Sequence, residues 1–520
     1  MAATKTSNGR KTGTGSKSAS GTKTKSATGQ TSGKAKSAAS GTNGKASAKS
    51  STGVGTEKTT EAEIVQPVVK SQGRVEAFRD LARRVAAGDV IIPPRLFTGL
   101  DRRNHVRATL REDHQTRIED QSHGAKQKFE KLAGSRFAFF RGTQLLFYRD
   151  MVGTDGHMPT VLALGDVHPE NFGVMPNKDG VPIFSVNDFD EAIYAPFTWD
   201  MKRAAVGFWV AAKEEGDLGR GQRAKVVRAF VNGYLDAIEG YASHETEKSD
   251  AFRMDNSPKV IRRLFEEAWE EREDWLWDDY LKPSGKGFRA DDELQPISSE
   301  IETFQKAIDD LAKANKLDVP DRSPELRVKD VCVRHGQGTS SLGLPRYYVL
   351  LEGPSKNATD DVIVEFKKAR RSALDGLTPP SDFDAGEKGE RIAHGQQVQL
   401  AHGDVFFGAV EINGESYMSR ERAPFRDDID LDELSKKTWR KYAHVCGQAL
   451  AQAHALSDDL GQVDYDVEPS IIAACQPRKL FVEDLLRFTV ETADRLKHDH
   501  KAFIEDFEAG AFDSIDMVYR

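Results

Sequence analysis

Apolar positions in the first half of the chain fall mostly three or four residues apart, and in one central stretch the pattern shortens to strand, loop, strand. Val75 to Ala87 carries the helical spacing, and Pro93 with Pro94 stops it because proline lacks the amide a helix interior needs. A charged helical stretch from Thr109 to Leu132 leads to the aromatic run Phe137, Phe139 and Phe140, closed by Arg141 and Gly142, and then to a helix over Gln144 to Met151. Thr160 to Leu164 reads as a short strand and Gly165 to Asn171 as a polar loop. Phe172 to Met175 and Val181 to Val186 read as a hairpin turning over Asn177 to Gly180. Helical spacing returns over Trp199 to Glu214, Gly221 to Tyr241, Lys259 to Trp277 and 300 to 316, with loop from 281 to 300. Trp199 and Trp209 read as core.

The second half opens with three short strands, Val328 to Val333, Arg346 to Leu351 and Asp361 to Lys367, with a Gly-rich loop between the first two. Two further strands, Val398 to Leu400 with Phe406 to Glu411 and Glu415 to Arg420, meet at Asn413-Gly414, a pair suited to a two-residue hairpin turn. A helix is expected near Ala369 to Leu377, and Leu434 to Leu456 and 479 to 507 are long helices. No repeat of fixed period occurs. The pattern is α+β, in four parts: a basic tail and linker over 1–74, a helical lobe over 75–325 holding the polar loops, a small antiparallel β lobe over 326–425, and helices over 426–520 that complete the helical lobe.

Composition changes this picture mainly at the N-terminus. The 520 residues are 38% hydrophobic and 30% charged, enough to bury one two-lobed core or two smaller ones. The first 56 residues are mostly Gly, Ser, Thr, Ala and Lys, with ten Lys or Arg and no Asp or Glu. They cannot bury enough apolar area to offset ordering entropy, so a mobile basic tail is expected, either merely solubilising or contacting an anionic partner. A net charge of −8 overall and +10 in the tail leaves −18 for the rest, which disfavours general nucleic-acid binding by the body. Cys332, Cys446 and Cys475 lie far apart, which argues against a disulfide scaffold or a cysteine zinc site. No apolar run has transmembrane length, so no integral membrane association and a cytoplasmic location are expected.

Candidate chemistry sits in two clusters at strand ends: Gly165-Asp166-Val167-His168-Pro169-Glu170-Asn171 and, across the next hairpin, Asn187-Asp188-Phe189-Asp190-Glu191. Such residues cap turns, the bland reading of either cluster alone. Together they supply a carboxylate to accept a hydroxyl proton, an amide to hold a divalent ion and further carboxylates for the same ion, the parts phosphoryl transfer needs. The loop Arg334 to Gly343 contains Gly336, Gly338, Thr339, Ser340 and Ser341, whose amides and hydroxyls could approach phosphate oxygens, although it lacks a P-loop ending. Lys367-Lys368 ends the strand after it, where a lysine can pair nucleotide phosphates. Alternation places Lys367 opposite Val362, Val364 and Phe366, and a bulge would substitute Lys368.

The Gly165 to Asn171 run resembles the catalytic loop of aminoglycoside and choline phosphotransferases, and Asn187 to Asp190 resembles their metal-binding motif. Phe139-Phe140-Arg141-Gly142, Asp166 to Gly173, Asn187 to Glu191, Trp199-Asp200-Met201-Lys202-Arg203 and the later Gly-rich strand pair are more closely similar to the bacterial family catalogued as domain of unknown function 2252, over roughly residues 75 to 515. That resemblance implies a bilobal protein-kinase-like fold using ATP and Mg2+ or Mn2+. Asp166 would be the catalytic base, Asn171 and Asp188 metal ligands, Asp190 a further candidate for the same ion, and Asp200 a brace for the catalytic loop. The chain reads Lys367-Lys368-Ala369 where the family pattern has Lys-Glu-Ala, so the lysine's acidic partner is not identified. The catalytic loop also precedes the Gly-rich hairpin, and Leu450-Ala451-Gln452-Ala453-His454 resembles the helix that normally leads into that loop. The order implies circular permutation.

His454 reads as a packed supporting histidine and His168 as an orienter of the loop. Arg141 reads equally as a phosphate contact or a salt bridge. The expected activity is γ-phosphoryl transfer from Mg-ATP to an acceptor, a small-molecule hydroxyl being preferred and a protein acceptor the alternative. A catalytically weak pseudokinase or scaffold and a nucleotidyl transferase are the alternatives.

Overall fold

In the computed structural model the described residues run from Pro93 to Ser514, apart from 120–122, 269–270, 337–344, 382–387, 425–428 and 460, with Arg79, Arg83 and Ala87 before them. The chain divides into units 1–79 and 80–520, and every element below lies in the second. The basic tail, and nearly all of the helix expected over Val75 to Ala87, lie outside the described residues.

The helical part opens with α1 (Gly99–Asp113), α2 (His123–Gly134), α3 (Arg136–Arg141) and α4 (Gln144–Arg149). The aromatic run is therefore itself a helix, α3, capped where Ser135 Oγ accepts the Ala138 amide. β1 (Thr160–Ala163), β2 (Phe172–Pro176), β3 (Pro182–Val186) and β4 (Ile193–Pro196) follow, then α5 (Phe197–Glu214), α6 (Arg220–His244) and α7 (Lys259–Ala268). β2 and β3 form the expected hairpin, its turn held by Asn177 Oδ1, which accepts the amides of Asp179 and Val181. β4 was not anticipated. It pairs antiparallel with β1, so the two polar clusters leave adjacent strands.

The second part is one six-stranded antiparallel sheet in the order β5-β6-β7-β8-β10-β9. It comprises β5 (Leu294–Pro296), β6 (Val328–Arg334), β7 (Arg346–Leu351), β8 (Val362–Lys368), β9 (Gly408–Ile412) and β10 (Glu415–Arg422), with α8 (Ile301–Asn315) and α9 (Gly389–Gln399) between strands. β5 and α8 join it from upstream of residue 326. Two corrections concern local pattern. Val398 to Leu400 is the end of helix α9 and its cap, not a strand, and Ala369 to Leu377 is turns, not a helix. In both, three to nine residues carry too little periodicity to tell helix from strand. The Asn413-Gly414 turn forms as read, with positive φ at both residues (54° and 81°).

α10 (Lys436–Ala455), α11 (Val467–Ala474) and α12 (Arg478–Glu508) complete the helical part. α10 packs along α6, and one continuous core gathers Phe172, Val186, Phe208, Tyr234 and Tyr442. A second core lies between α8 and the sheet face bearing Val362, Val364 and Phe366. The opposite face carries Ile363 in a third cluster and then turns charged, with Glu365 and Lys367 buried toward the helical part. Among the described residues no helix is long and apolar enough to cross a membrane. The architecture is thus mixed α+β.

Candidate functional site

The strand β1 runs into a sharp bend at Gly165, whose φ of +81° is strained for any side-chain-bearing residue and where a Cβ would strike the Glu191 carbonyl oxygen. Two amides exposed by the bend are taken by one carboxylate: Leu164 N donates to Asp200 Oδ2 at 2.6 Å and Gly165 N to Asp200 Oδ1 at 3.0 Å. The Tyr148 hydroxyl donates to Gly165 O. Asp200, in the first turn of α5, also meets His454 Nε2 at 3.1 Å, and His454 Nδ1 lies 2.9 Å from the Tyr234 hydroxyl. Both Asp200 and His454 are wholly buried, so they hold the loop's backbone from behind.

Asp166, which the bend delivers, is buried and fully engaged. Oδ1 accepts Arg203 Nε at 2.9 Å and Nη2 at 2.7 Å, and Oδ2 accepts Gln144 Nε2 at 2.8 Å. Burial alone would raise its pKa; the Arg203 charge, with the hydrogen bonds from Gln144 and Arg203, outweighs that and holds it below the usual carboxylate value. Its backbone carbonyl accepts Asn171 Nδ2 at 2.6 Å, so Asn171 closes the loop on itself. His168 Nε2 stands 3.8 Å from Asp166 Oδ2, and its Nδ1 accepts the Glu170 amide at 3.3 Å. Burial pushes the His168 pKa far down, so the ring is neutral. Arg141 pairs with Glu170, tying α3 to the loop after β1.

The second cluster faces the sheet. Lys367 Nζ forms a buried ion pair with Asp190 Oδ2, 177 residues away in sequence, whereas Lys368 pairs with Glu415 at the sheet surface. Asp190 is therefore the acidic partner that the sequence around Lys367 does not reveal. Against the cost of burial, Lys367 and then Arg370 draw the Asp190 pKa down to about 2. Its other oxygen, Oδ1, is buried with no hydrogen-bond partner among the described residues. Asp188, two residues earlier and only partly buried, is pushed up by burial and then by the neighbouring Asp190 charge. Glu191 grips the segment after β8, pairing with Arg370 and accepting the Ala373 amide at 2.5 Å. Behind Lys367, buried Glu365 neutralises Arg346 at 2.8 Å and Arg420, whose Nη1 donates to Asn187 O at 3.4 Å.

The site thus brings together Asp166, His168, Asn171, Asp188, Asp190, Asp200, Lys367 and His454 with Arg141 at its edge. Gly336 is described, with φ of +78° and open space where a Cβ would stand. Gly338, Thr339, Ser340 and Ser341 lie outside the described residues. Reading the sequence assigned no role to Gln144, Arg203, Arg370 or Glu365. Arg203 carried a signal, being a cation within the apolar α5 run and one helical turn from Asp200 on the same face.

A hard divalent cation fits this donor set on one observation: Asp190 Oδ1 is an orphaned buried anionic oxygen beside Asp188, a second carboxylate crowded by the first. The group of three acidic side chains whose ligand atoms all lie within 4.8 Å of one another is elsewhere among the described residues, at Asp458, Asp466 and Glu468.

Residues 121–506 match the family described as an uncharacterised protein conserved in bacteria (DUF2252), and the chain belongs to that family. No curated protein and no solved structure matches it.

Proposed function

We propose that this DUF2252 chain is an ATP-dependent phosphotransferase that moves the γ-phosphoryl group to the hydroxyl of a small molecule, on a bilobal, kinase-like and circularly permuted scaffold. The observation that supports it most is the ion pair of the sheet lysine Lys367 with Asp190, two residues from Asp188. A sheet lysine and a carboxylate 177 residues apart in sequence meet there, as phosphate pairing and metal binding in one cleft would require. The permuted order costs nothing in contacts, since β8 approaches the catalytic hairpin whichever comes first in the chain.

In this reading Asp188 and Asp190 hold magnesium or manganese, with Asn171 beside them, and the metal neutralises phosphate charge when bound. Lys367, partnered by Asp190, orients the α- and β-phosphates. Asp166 positions the acceptor hydroxyl and takes its proton at Oδ2 once the Gln144 hydrogen bond is exchanged for that of the substrate. A base of depressed pKa is serviceable here because a largely dissociative transition state demands little proton abstraction early on. Asp200 and His454 keep the loop rigid.

One observation favours a second reading, a nucleotide-binding pseudokinase: both Asp166 oxygens are already occupied by Arg203 and Gln144. Calorimetric titration with ATP and magnesium, run beside an Asp188→Ala variant, tests the site. Saturable binding weakened in the variant supports it, and no binding across magnesium and manganese refutes it for the free protein. Product analysis then separates the classes: ADP marks phosphoryl transfer, AMP or pyrophosphate marks transfer of another part of ATP, and unchanged ATP across a panel of hydroxyl acceptors marks the pseudokinase.

A further inference from the structure

The helical part holds a second gathering of carboxylates, remote in role from the cleft. Asp458, in the turn after α10, and Asp466 and Glu468, at the start of α11, bring one ligand oxygen each within 4.8 Å of one another. Oxygens that close together can share one ion, since calcium takes oxygen ligands at about 2.3–2.6 Å. The set contains only hard oxygen donors, which selects calcium or magnesium over zinc, and its irregular placement on a turn and a helix start suits calcium's flexible geometry better than magnesium's octahedron.

An independent feature points to the same place. Glu247, in the turn after α6, is 8% exposed, and its Oε2 is buried with no hydrogen-bond partner among the described residues. It lies within electrostatic reach of Asp458, Asp459 and Glu468. The turn is held there by Gln452 Nε2, which donates to Glu247 O and Asp250 O at 2.7 Å each, and by the ion pair of Lys248 with Asp459. A buried carboxyl oxygen left unmatched beside three more carboxyl groups is costly unless a proton or a cation joins them, and burial pushes the pKa of Glu468, which meets Asp466, up to about 8. Lys248 is engaged by Asp459 at the rim, and Asp458 Oδ2 accepts the Val467 amide at 2.9 Å.

We propose that Asp458, Asp466 and Glu468, with Glu247 beside them, form a calcium-binding site that fastens the α10–α11 connection to the turn after α6. The site would stiffen the support of the catalytic strand. Ser457 Oγ accepts the Leu162 amide of β1 at 3.0 Å, and the Tyr465 hydroxyl donates to Thr160 O at 2.7 Å, so both ends of the connection grip β1. The inference stands whether or not the cleft transfers phosphate.

The test is calorimetric titration of the chelator-stripped full chain with calcium chloride alone, without nucleotide, in the wild type and in an Asp188→Ala background that disables the cleft. One saturable event in both, accompanied by a rise in Tm and weakened about tenfold or more by Asp466→Asn, is the expected result. Asp466 is exposed, so that variant should keep the wild-type circular dichroism; Asp458→Asn serves as a second variant read the same way. Absence of saturable binding up to about 5 mM calcium, well above the weakest ordinary sites, overturns the proposal. So does binding that disappears with Asp188→Ala, or binding that neither Asp466→Asn nor Asp458→Asn alters.

Discussion

Replacing Arg203 by methionine would isolate the charge on Asp166. Methionine keeps much of the apolar stem, which lies against Phe140 and Phe147 (guanidinium carbon 4.1 and 5.1 Å from the ring centroids), while removing both hydrogen bonds to Asp166 Oδ1 and the one to Phe140 O. The carboxylate is then left buried with Gln144 as its neutral donor, and breaking one side of a buried pair costs about 3–5 kcal/mol. Unit 80–520, at about 2.1 cal/mol/K of unfolding entropy per residue, has an entropy near 0.9 kcal/mol/K, so differential scanning calorimetry at pH 7 should show Tm lowered by about 3–5 °C. The pH dependence follows from the sign of the shift. In the wild type the Asp166 pKa is depressed, so its contribution is present above the unfolded value near 3.9 and is lost as pH falls through the folded value. In Arg203→Met burial acts without the arginine and the folded pKa rises, so the Tm gap between the two proteins should narrow from pH 7 toward pH 4. Asp166→Asn strands Arg203 instead, and the double variant should be less damaged than the sum of the singles by about 1–3 kcal/mol. A loss below about 1 °C in Arg203→Met, or strict additivity in the double variant, would refute the claim that this pair sets the state of the Asp166 carboxylate.

Three further outcomes follow from the same geometry. Lys367→Met leaves Asp190 buried without its main cation. The wild-type advantage, present above pH about 4 and lost as pH falls toward 2, should disappear, and urea midpoints measured from pH 7 downward should show a deficit of about 3 kcal/mol or more that shrinks in acid. Gly165→Ala forces a side chain into positive φ against Glu191 and should cost about 1–3 kcal/mol in urea unfolding, with nucleotide binding weakened if the loop serves the cleft. Asp200→Asn exchanges an acceptor of two amides for a group with one acceptor oxygen, and hydrogen exchange at Leu164 and Gly165 should accelerate while the amides of α8 keep their protection.

Much of the secondary structure was legible because its signals are local. The β2–β3 and β9–β10 hairpins followed from apolar strands flanking turn residues, and α5, α6, α10 and α12 from long helical periodicity. Failures came where the window was short: α9 read in part as a strand, the turns over Ala369 to Leu377 read as a helix, and β4 and β5, of four and three residues, went unread. The site was legible as a set of residue types, since Asp, Asn and Gly at strand ends announce chemistry. Alternation along β8 also pointed Lys367 away from the apolar face, which is where it lies.

What the sequence determined by itself, then, was which segments alternate, which repeat every three to four residues and which polar clusters sit at their ends, because each depends on neighbours a few positions away. Tertiary structure alone decided that Lys367 meets Asp190, that Asp166 is held by Arg203 and Gln144, that Arg141 spends its charge on Glu170, and that Glu247 is brought beside Asp458 and Glu468. Charges in this chain are abundant and any cation could in principle match any carboxylate; only burial selects among them, since a charge withdrawn from water must meet whichever partner the packed strands and helices carry to it.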